Sequence, residues 1–344
     1  MKFLFGVQTE GNGHITQSIA VKQFLQSKGH EVKTAMAAKK DKKIVNFFSD
    51  EFDIVDYNGF DFAFKKGKII IWRTIVKNIV KLPLLAKSFL KICETIKKEK
   101  PDAICNFYEP LVGLSAIFFP KIKYISFGHQ YAMTTERYPK TKGFWVQKVF
   151  LKIINFITSI RAKKVALSYY NFEDKNLIVC PPILRKQAHE KSNDKENFVL
   201  VYIMNEDLVP QFILKTYNHI HKKFHLYTKN SHKIKYYPDH VKIFELDGED
   251  FLNKMKICKA VICSGGFETS SEAVWHNKPL LMIPIPNHYE QHANCRDAFE
   301  NGLANWSKDF DINLIPKQKP SNNAWFEECE KILTKAFESV SIKP

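Results

Sequence analysis

Residues Ser264 to Cys295 read SGGFETSSEAVWHNKPLLMIPIPNHYEQHANC, directly after the short apolar run Ala260-Val261-Ile262-Cys263. A non-alternating apolar run of that length predicts a strand buried on both faces. Two glycines follow, then helical spacing from Glu268 to His276, a second buried strand over Pro279–Pro284, and a helix over Gln291–Asn301. Gly265 and Gly266 let backbone approach a ligand closely, and the free amides and positive end of the following helix favour an anion there. Thr269 and Ser270 add hydroxyl donors. The turn lacks the lysine of a P-loop and the spacing of a dinucleotide fingerprint. Glu272, one helical turn on, is placed to accept hydrogen bonds from a ribose diol. Glu290 and Gln291 follow a strand's carboxyl end, with Asn294 three residues later, which suits sugar hydroxyls in a cleft. Taken alone, the same segment also reads as a glycine-rich connection with a capping Thr or Ser.

Working outward, the same strand–helix–strand unit recurs on both sides. Phe3–Val7, Val32–Ala37, Ala103–Phe107, Tyr124–Phe127, Val165–Ser168 and Leu177–Val179 are strand-length apolar runs, separated by helical stretches near Ile15–Leu25, Ile70–Lys98 and Phe144–Ile160. After Cys180-Pro181-Pro182 the periodicity stops in a polar stretch. A second series then runs from Phe198–Met204 through helix Leu208–His221, strands Phe224–Tyr227 and Val241–Phe244, and helix Asp250–Cys258 into the segment above. The fold class this predicts is α/β, with two Rossmann-like domains whose parallel sheets face across a cleft, the default place for a ligand. The expected division is 1–182 for a basic N-terminal domain, 183–197 for a linker and 198–320 for the second domain. A C-terminal helix in 321–344 is expected to pack back toward the first domain.

Composition narrows the function. The chain has 344 residues, is 45% hydrophobic and 26% charged, and carries a formal charge of +16. That apolar share excludes wholesale disorder, and no uninterrupted apolar run reaches the ~18 residues of a spanning helix. Met1–Val7 turns polar at Gln8 and reads as a first strand, not a secretion signal. The seven cysteines are an odd number, scattered, with no Cys-x-x-Cys pair, which suits buried thiols in the cytoplasm better than a metal site. The charge is lopsided: residues 1–180 hold 30 Lys and Arg against 15 Asp and Glu, and residues 181–344 hold 22 against 21. Ten basic residues and one acid, Glu94, lie between Lys65 and Lys98, interleaved with Trp72, Val76, Ile79, Val80, Leu84 and Phe89; seven basic residues and no acid lie between Lys140 and Lys164. Basic amphipathic helices of this kind suit an anionic membrane surface, although core helices with solvated lysines give the same pattern. A nucleic-acid partner is not expected, for want of a reading motif.

The Ser264–Cys295 segment resembles the donor signature of the GT-B glycosyltransferases. It is similar to that of the UDP-glycosyltransferases and of the N-acetylglucosaminyltransferases acting on lipid-linked peptidoglycan precursor. Ser264 stands where the former often have histidine and the latter have serine. By this resemblance Gly265, Gly266, Thr269 and Ser270 hold a diphosphate, Glu272 a ribose, and Glu290 with Gln291 the transferred sugar. Backbone near Phe244 and Glu245 reads the base. Arg185 either reaches the phosphates from the domain junction or is a solvated linker charge. The likeness extends to the other end of the chain. Gly11-Asn12-Gly13-His14, between the first strand and helix, matches the family's acceptor loop, and Gly29-His30-Glu31-Val32 matches its next turn. There His14 is the general base. A helix N-terminus favours the neutral imidazole such a base needs, and a histidine held by loop backbone is the structural alternative. Glu109, after the strand ending at Phe107, is either the carboxylate that orients His14 or a loop charge. His129 is a further cleft candidate.

What this implies is a single inverting displacement from a nucleoside-diphosphate sugar, UDP foremost, onto a hydroxyl. The acceptor is expected to be lipid-linked or a glycolipid of the cell envelope, and the transferred group a hexosyl or N-acetylhexosaminyl unit. The place is the cytoplasm, on the inner membrane face if the basic helices dock there. No cofactor or metal is expected, the nucleotide sugar being a co-substrate. A soluble small-molecule transferase, a sugar-nucleotide epimerase and a non-catalytic sugar-nucleotide-binding module fit the same cleft.

Overall fold

The computed structural model describes residues 1–39, 46–60, 64–65, 68–69, 71–320 and 323–341. Lys66 and Ile70 of the basic stretch therefore lie outside the described residues, as do 321–322 and 342–344 of the tail. Strands β1 (Lys2–Val7), β2 (Glu31–Ala38) and β3 (Asp53–Tyr57) begin the first sheet. After a two-residue ladder of β4 (Phe64–Lys65) and β5 (Lys68–Ile69) it continues with β6 (Ala103–Phe107), β7 (Lys123–Gly128), β8 (Ala162–Leu167) and β9 (Ile178–Cys180). Its order is β3-β2-β1-β6-β7-β8-β9, parallel throughout. The second sheet comprises β10 (Phe198–Ile203), β11 (Lys223–Thr228), β12 (Val241–Glu245), β13 (Ala260–Ser264), β14 (Leu280–Ile283) and β15 (Asn305–Trp306), in the order β12-β11-β10-β13-β14-β15, again all parallel. The central strands are buried end to end, as in Ala103–Phe107 and Ala260–Ser264, because helices cover both faces.

The helices are α1 (Gly13–Ser27), α2 (Asn46–Ser49), α3 (Ile71–Val80), α4 (Leu82–Glu99), α5 (Pro110–Ser115) and α6 (Trp145–Thr158) around the first sheet. Helices α7 (Val209–Thr216), α8 (Gly248–Ile257), α9 (Phe267–Trp275) and α10 (Tyr289–Glu300) surround the second, and α11 (Asn323–Glu327) and α12 (Cys329–Ser341) form the tail. In each sheet the order reverses at one strand, β1 in the first and β10 in the second, which opens a crevice at the strands' carboxyl ends.

The single C-terminal helix expected is two, α11 and α12, and three further differences from the sequence reading have a plain physical cause. The single helix expected over Ile70–Lys98 is two, parted at Lys81, because Pro83 at the start of α4 lacks an amide hydrogen and cannot continue α3. Asp53–Tyr57 is an unanticipated strand. It lies at the sheet edge, where Asp53 and Asp56 interrupt the apolar pattern and guard an exposed ladder. The polar stretch after Pro182 is anchored rather than free. Ile183, Leu184 and Ala188 are buried, and Glu190 pairs with Lys256 at 2.8 Å.

The tail crosses back onto the first sheet. Phe337 packs edge-on against Phe3, 5.6 Å between ring centroids, and lies near Phe24 and Phe127. Trp325 Nε1 donates to the Ser168 carbonyl at 3.0 Å. One apolar core thus runs from Phe3 and Val7 through Tyr169, Ile183 and Phe267 to Trp275 and Phe326, joining the two halves. All seven cysteines are free, and Cys105, Cys180, Cys258, Cys263 and Cys295 are buried. Among the described residues no helix is long and apolar enough to cross a membrane.

Candidate active site

On the N-terminal side the site is built on the loop that leaves β1. The Glu10 amide donates to Gln8 Oε1 at 2.7 Å and Thr9 Oγ1 to the Ala38 carbonyl at 2.5 Å. Gly11 turns the chain with φ +93°, a conformation other residues avoid. Asn12 is the N-cap position of α1, and Gly13 lies close enough to the opposite half that an added Cβ would sit 3.1 Å from Glu268 Cγ. His14 follows, half-buried, its ring stacked on Tyr108 at 5.5 Å and 17°. Tyr108 is held at φ +61° at the end of β6, a strained conformation for an aromatic residue, and its hydroxyl donates to Asn155 Oδ1 at 2.6 Å. Withdrawal from water pushes the His14 pKa down to about 4, only partly offset by the Gln17 side chain, whose Oε1 lies 3.3 Å from Nδ1.

Glu109 does not orient His14. Its carboxylate caps α5, accepting from the Val112 amide at 2.7 Å, and burial raises its pKa to about 7 against that bond. The sequence Glu-Pro at a strand end is a helix start, and a buried carboxyl satisfies the orphan amides there.

On the other side, β13 ends at Ser264 and the chain turns into α9. Gly265 has no room for a side chain, since a Cβ would lie 2.5 Å from the Gln291 carbonyl oxygen and 2.8 Å from Cys295 Sγ. Gly266 is different. Nothing lies within 4 Å of its would-be Cβ, and as N-cap it leaves the first amides of α9 without a side-chain partner. Thr269 is half-buried on that same first turn. Ser270 departs from expectation. It is fully buried, donating to the Gly266 and Phe267 carbonyls at 2.7 and 2.9 Å and meeting the Tyr169 hydroxyl, so it holds the helix and the junction, not a ligand. Glu272 is buried beside Arg185, whose Nη2 donates to Oε1 at 3.2 Å; burial raises the carboxyl's pKa and the guanidinium lowers it. Arg185 is therefore no solvated linker charge, and its buried Nε has no protein partner.

Glu290 accepts from Gln130 Nε2 at 3.2 Å, and burial raises its pKa. Gln291 also departs from expectation, because its Oε1 accepts from the Ile285 amide at 2.9 Å and pins the Pro284–Pro286 turn. Phe244, at the end of β12, stacks on Tyr227 at 5.0 Å and 14°. The Glu245 carboxylate is taken up by the Asn230 and Ser231 amides at 3.0 and 2.8 Å, so backbone alone remains there for reading a base.

Several contacts join the two halves across the cleft, each between residues at or beyond strand carboxyl ends. His129 stacks on Phe267 at 3.8 Å, while its Nε2 lies 2.8 Å from Asn294 Oδ1 and its Nδ1 2.8 Å from the Leu167 carbonyl. This residue is a buried staple. Gln17 Nε2 donates to Glu268 Oε1. Glu268 was missed by the sequence reading, although it stands four residues before Glu272 and so shares its helix face. Burial raises its pKa to about 8; Gln17 and Arg185 pull it down and Glu272 pushes it up. Among the described residues no group of His, Cys, Asp and Glu gathers as a metal site would require.

Two parallel α/β sheets meeting at their carboxyl ends, with a glycine turn on one wall and a histidine loop on the other, define a GT-B glycosyltransferase. The chain belongs to Glycosyl transferase family 1, whose profile matches residues 1–317. An uncharacterised glycosyltransferase of Methanopyrus kandleri is 36% identical over 55 residues, a match spanning 16% of each chain. Among solved structures, the Streptomyces sp. SF2575 glycosyltransferase SsfS6, complexed with thymidine diphosphate, is similar with a TM-score of 0.62 at 11% identity, covering 99% of this chain and 98% of that one. MurG of Acinetobacter baumannii is similar with a TM-score of 0.54 at 14% identity, covering 99% and 94%.

Proposed function

We propose that the protein is an inverting glycosyltransferase that moves a sugar from a nucleoside-diphosphate sugar to the hydroxyl of a lipid-linked or glycolipid acceptor at an anionic membrane surface. The observation that carries the reading is the juxtaposition, across one cleft, of a low-pKa histidine and the uncapped amides of α9. His14 takes the proton from the acceptor hydroxyl, which attacks the anomeric carbon as the diphosphate leaves on the opposite face. The Gly266 turn and the α9 N-terminus stabilise the charge that develops on the leaving group, with Thr269 as a further donor. Glu272 and Arg185 hold the ribose and phosphate end, and Glu290 the transferred hexosyl or N-acetylhexosaminyl unit. On this reading no metal is needed, because the helix end and guanidinium supply the positive potential.

The membrane part rests on two basic helices of the N-terminal half. Trp72 and Val80 of α3 are 72% and 76% exposed and Trp145 and Phe156 of α6 are 74% and 71% exposed, with Lys77, Lys81, Lys87 and Lys152 nearby in sequence. Exposed apolar side chains interleaved with cations on a helix fit lipid headgroups and acyl chains. The solved relatives support the donor class, SsfS6 having been captured with thymidine diphosphate.

The first experiment is thermal stability with UDP, dTDP, GDP and CMP in turn. A nucleotide at ~100 times its dissociation constant stabilises the fold by roughly 2.7 kcal/mol. Stabilisation by one diphosphate, retained in His14→Ala while transfer falls by about 10²–10⁴-fold, supports the reading. Indifference to all four sinks the donor assignment.

A further inference from the structure

We infer that Gln17 and Glu268 are positioning residues for the base, so that the donor-binding half of the molecule sets the tautomer of His14 across the cleft. The inference rests on the reading of His14 given above and deepens it. It starts from one chain of contacts: His14 Nδ1 lies 3.3 Å from Gln17 Oε1, and Gln17 Nε2 donates to Glu268 Oε1. Gln17 is buried, one helical turn beyond His14, and Glu268 sits on the first turn of α9, the helix whose amides face the leaving group.

The geometry sets the direction of each hydrogen. The amide NH2 of Gln17 points to Glu268 Oε1 and its carbonyl oxygen to His14. Below about pH 8, where Glu268 is protonated, the carbonyl oxygen of its carboxyl group accepts from Gln17. Above that pH the carboxylate, which offers only acceptors, enforces the same orientation. A carbonyl oxygen cannot donate, so the hydrogen between Gln17 and His14 belongs to Nδ1. A neutral imidazole carries one ring hydrogen. Nε2 is then the bare lone pair, and among the described residues it makes no hydrogen bond to protein. That is the nitrogen left to accept a proton. The arrangement does the work usually given to a carboxylate beside the base, and it explains why Glu109 can serve α5 instead. Because Glu268 belongs to the other half, the relay exists only when the cleft is closed. Base competence is therefore coupled to the position of the helix that holds the diphosphate.

The test is long-range ¹H–¹⁵N correlation of the histidine rings in the whole protein, with His14→Asn to assign the resonance, on wild type, Gln17→Leu, Glu268→Ala and Glu268→Gln. The expected result is one dominant Nδ1–H tautomer for His14 in wild type. Gln17→Leu and Glu268→Ala should lose that dominance, and Glu268→Gln, which still presents a carbonyl oxygen, should retain it. Unchanged resonances of His129, buried in the same junction, report that each variant is folded. An Nε2–H tautomer in wild type, or Nδ1–H dominance surviving both Gln17→Leu and Glu268→Ala, overturns the inference. UDP added to the same samples separates the two claims. Loss of the tautomer effect with UDP still shifting the Gly265 and Gly266 amides removes the relay alone, whereas UDP without effect on those amides removes the donor assignment.

Discussion

A neutral imidazole at position 14 sets the acid limit of the proposed reaction. With its pKa pushed down to about 4 by withdrawal from water, His14 stays unprotonated well below the 6.5 of an unperturbed histidine. The transfer rate should hold from pH 8 to pH 5 and fall only near pH 4; a midpoint near 6.5 in kcat/KM would refute that. Glu268 acts on stability as well. Its folded pKa, about 8, exceeds the 4.5 of the unfolded chain, so between those values the folded state binds more protons. Stability then falls as pH rises from 4.5 through 8. Melting temperatures measured from pH 6 to pH 8.5 should decline more steeply in wild type than in Glu268→Gln; parallel declines would show that Glu268 does not titrate there.

At the scale of elements, the α9 turn separates packing from binding in two adjacent glycines. Gly265→Ala drives a methyl group to 2.5 Å from the backbone of α10 and should cost about 1–3 kcal/mol. Gly266→Ala meets open space and should cost about 1 kcal/mol or less, the difference between Gly and Ala at an N-cap, while weakening nucleotide binding. Urea unfolding and nucleotide titration of both variants check this. Equal destabilisation, or a binding defect confined to Gly265→Ala, contradicts it. The same turn shows why one part of the site was legible in the sequence and another was not. A buried strand, two glycines and a helix form a local pattern, and local patterns survive in sequence. Ser270 and Gln291 carried the right chemistry but point into the protein, which spacing does not reveal. Gln17 and Glu268 meet across 251 positions and His129 and Asn294 across 165, and only the docking of the two halves brings them together. Among the strands, Ala103–Phe107 was plain from its apolar run, and Asp53–Tyr57 was hidden by the aspartates that protect its edge.

At the scale of the whole molecule, charge divides between the halves. The exposed rings of Trp72 and Trp145 should contribute to vesicle binding and little to folding. Trp72→Ala with Trp145→Ala should lower co-sedimentation with anionic vesicles while leaving the melting temperature unchanged. Binding by wild type should also weaken as salt rises. Retention of full vesicle binding in the double variant, or equal binding to neutral vesicles at every salt concentration, would place the membrane contact elsewhere or remove it. Phe337, buried against Phe3, is the contrasting case. Phe337→Ala should cost about 3–5 kcal/mol in chemical denaturation, and a loss below 1 kcal/mol would mean the tail is not part of the fold's cohesion.

The returning tail has a mechanical consequence. The chain passes between the halves twice, once at Ile183 and Leu184 and again ahead of Trp325, and both passages are pinned by buried side chains. Two fixed passages define an axis, and rotation about that axis is the motion they resist least. Sliding or twisting would tear one of them from its seat. Opening should therefore be a one-dimensional swing that parts Glu268 from Gln17 while the side near Leu184 and Trp325 stays shut.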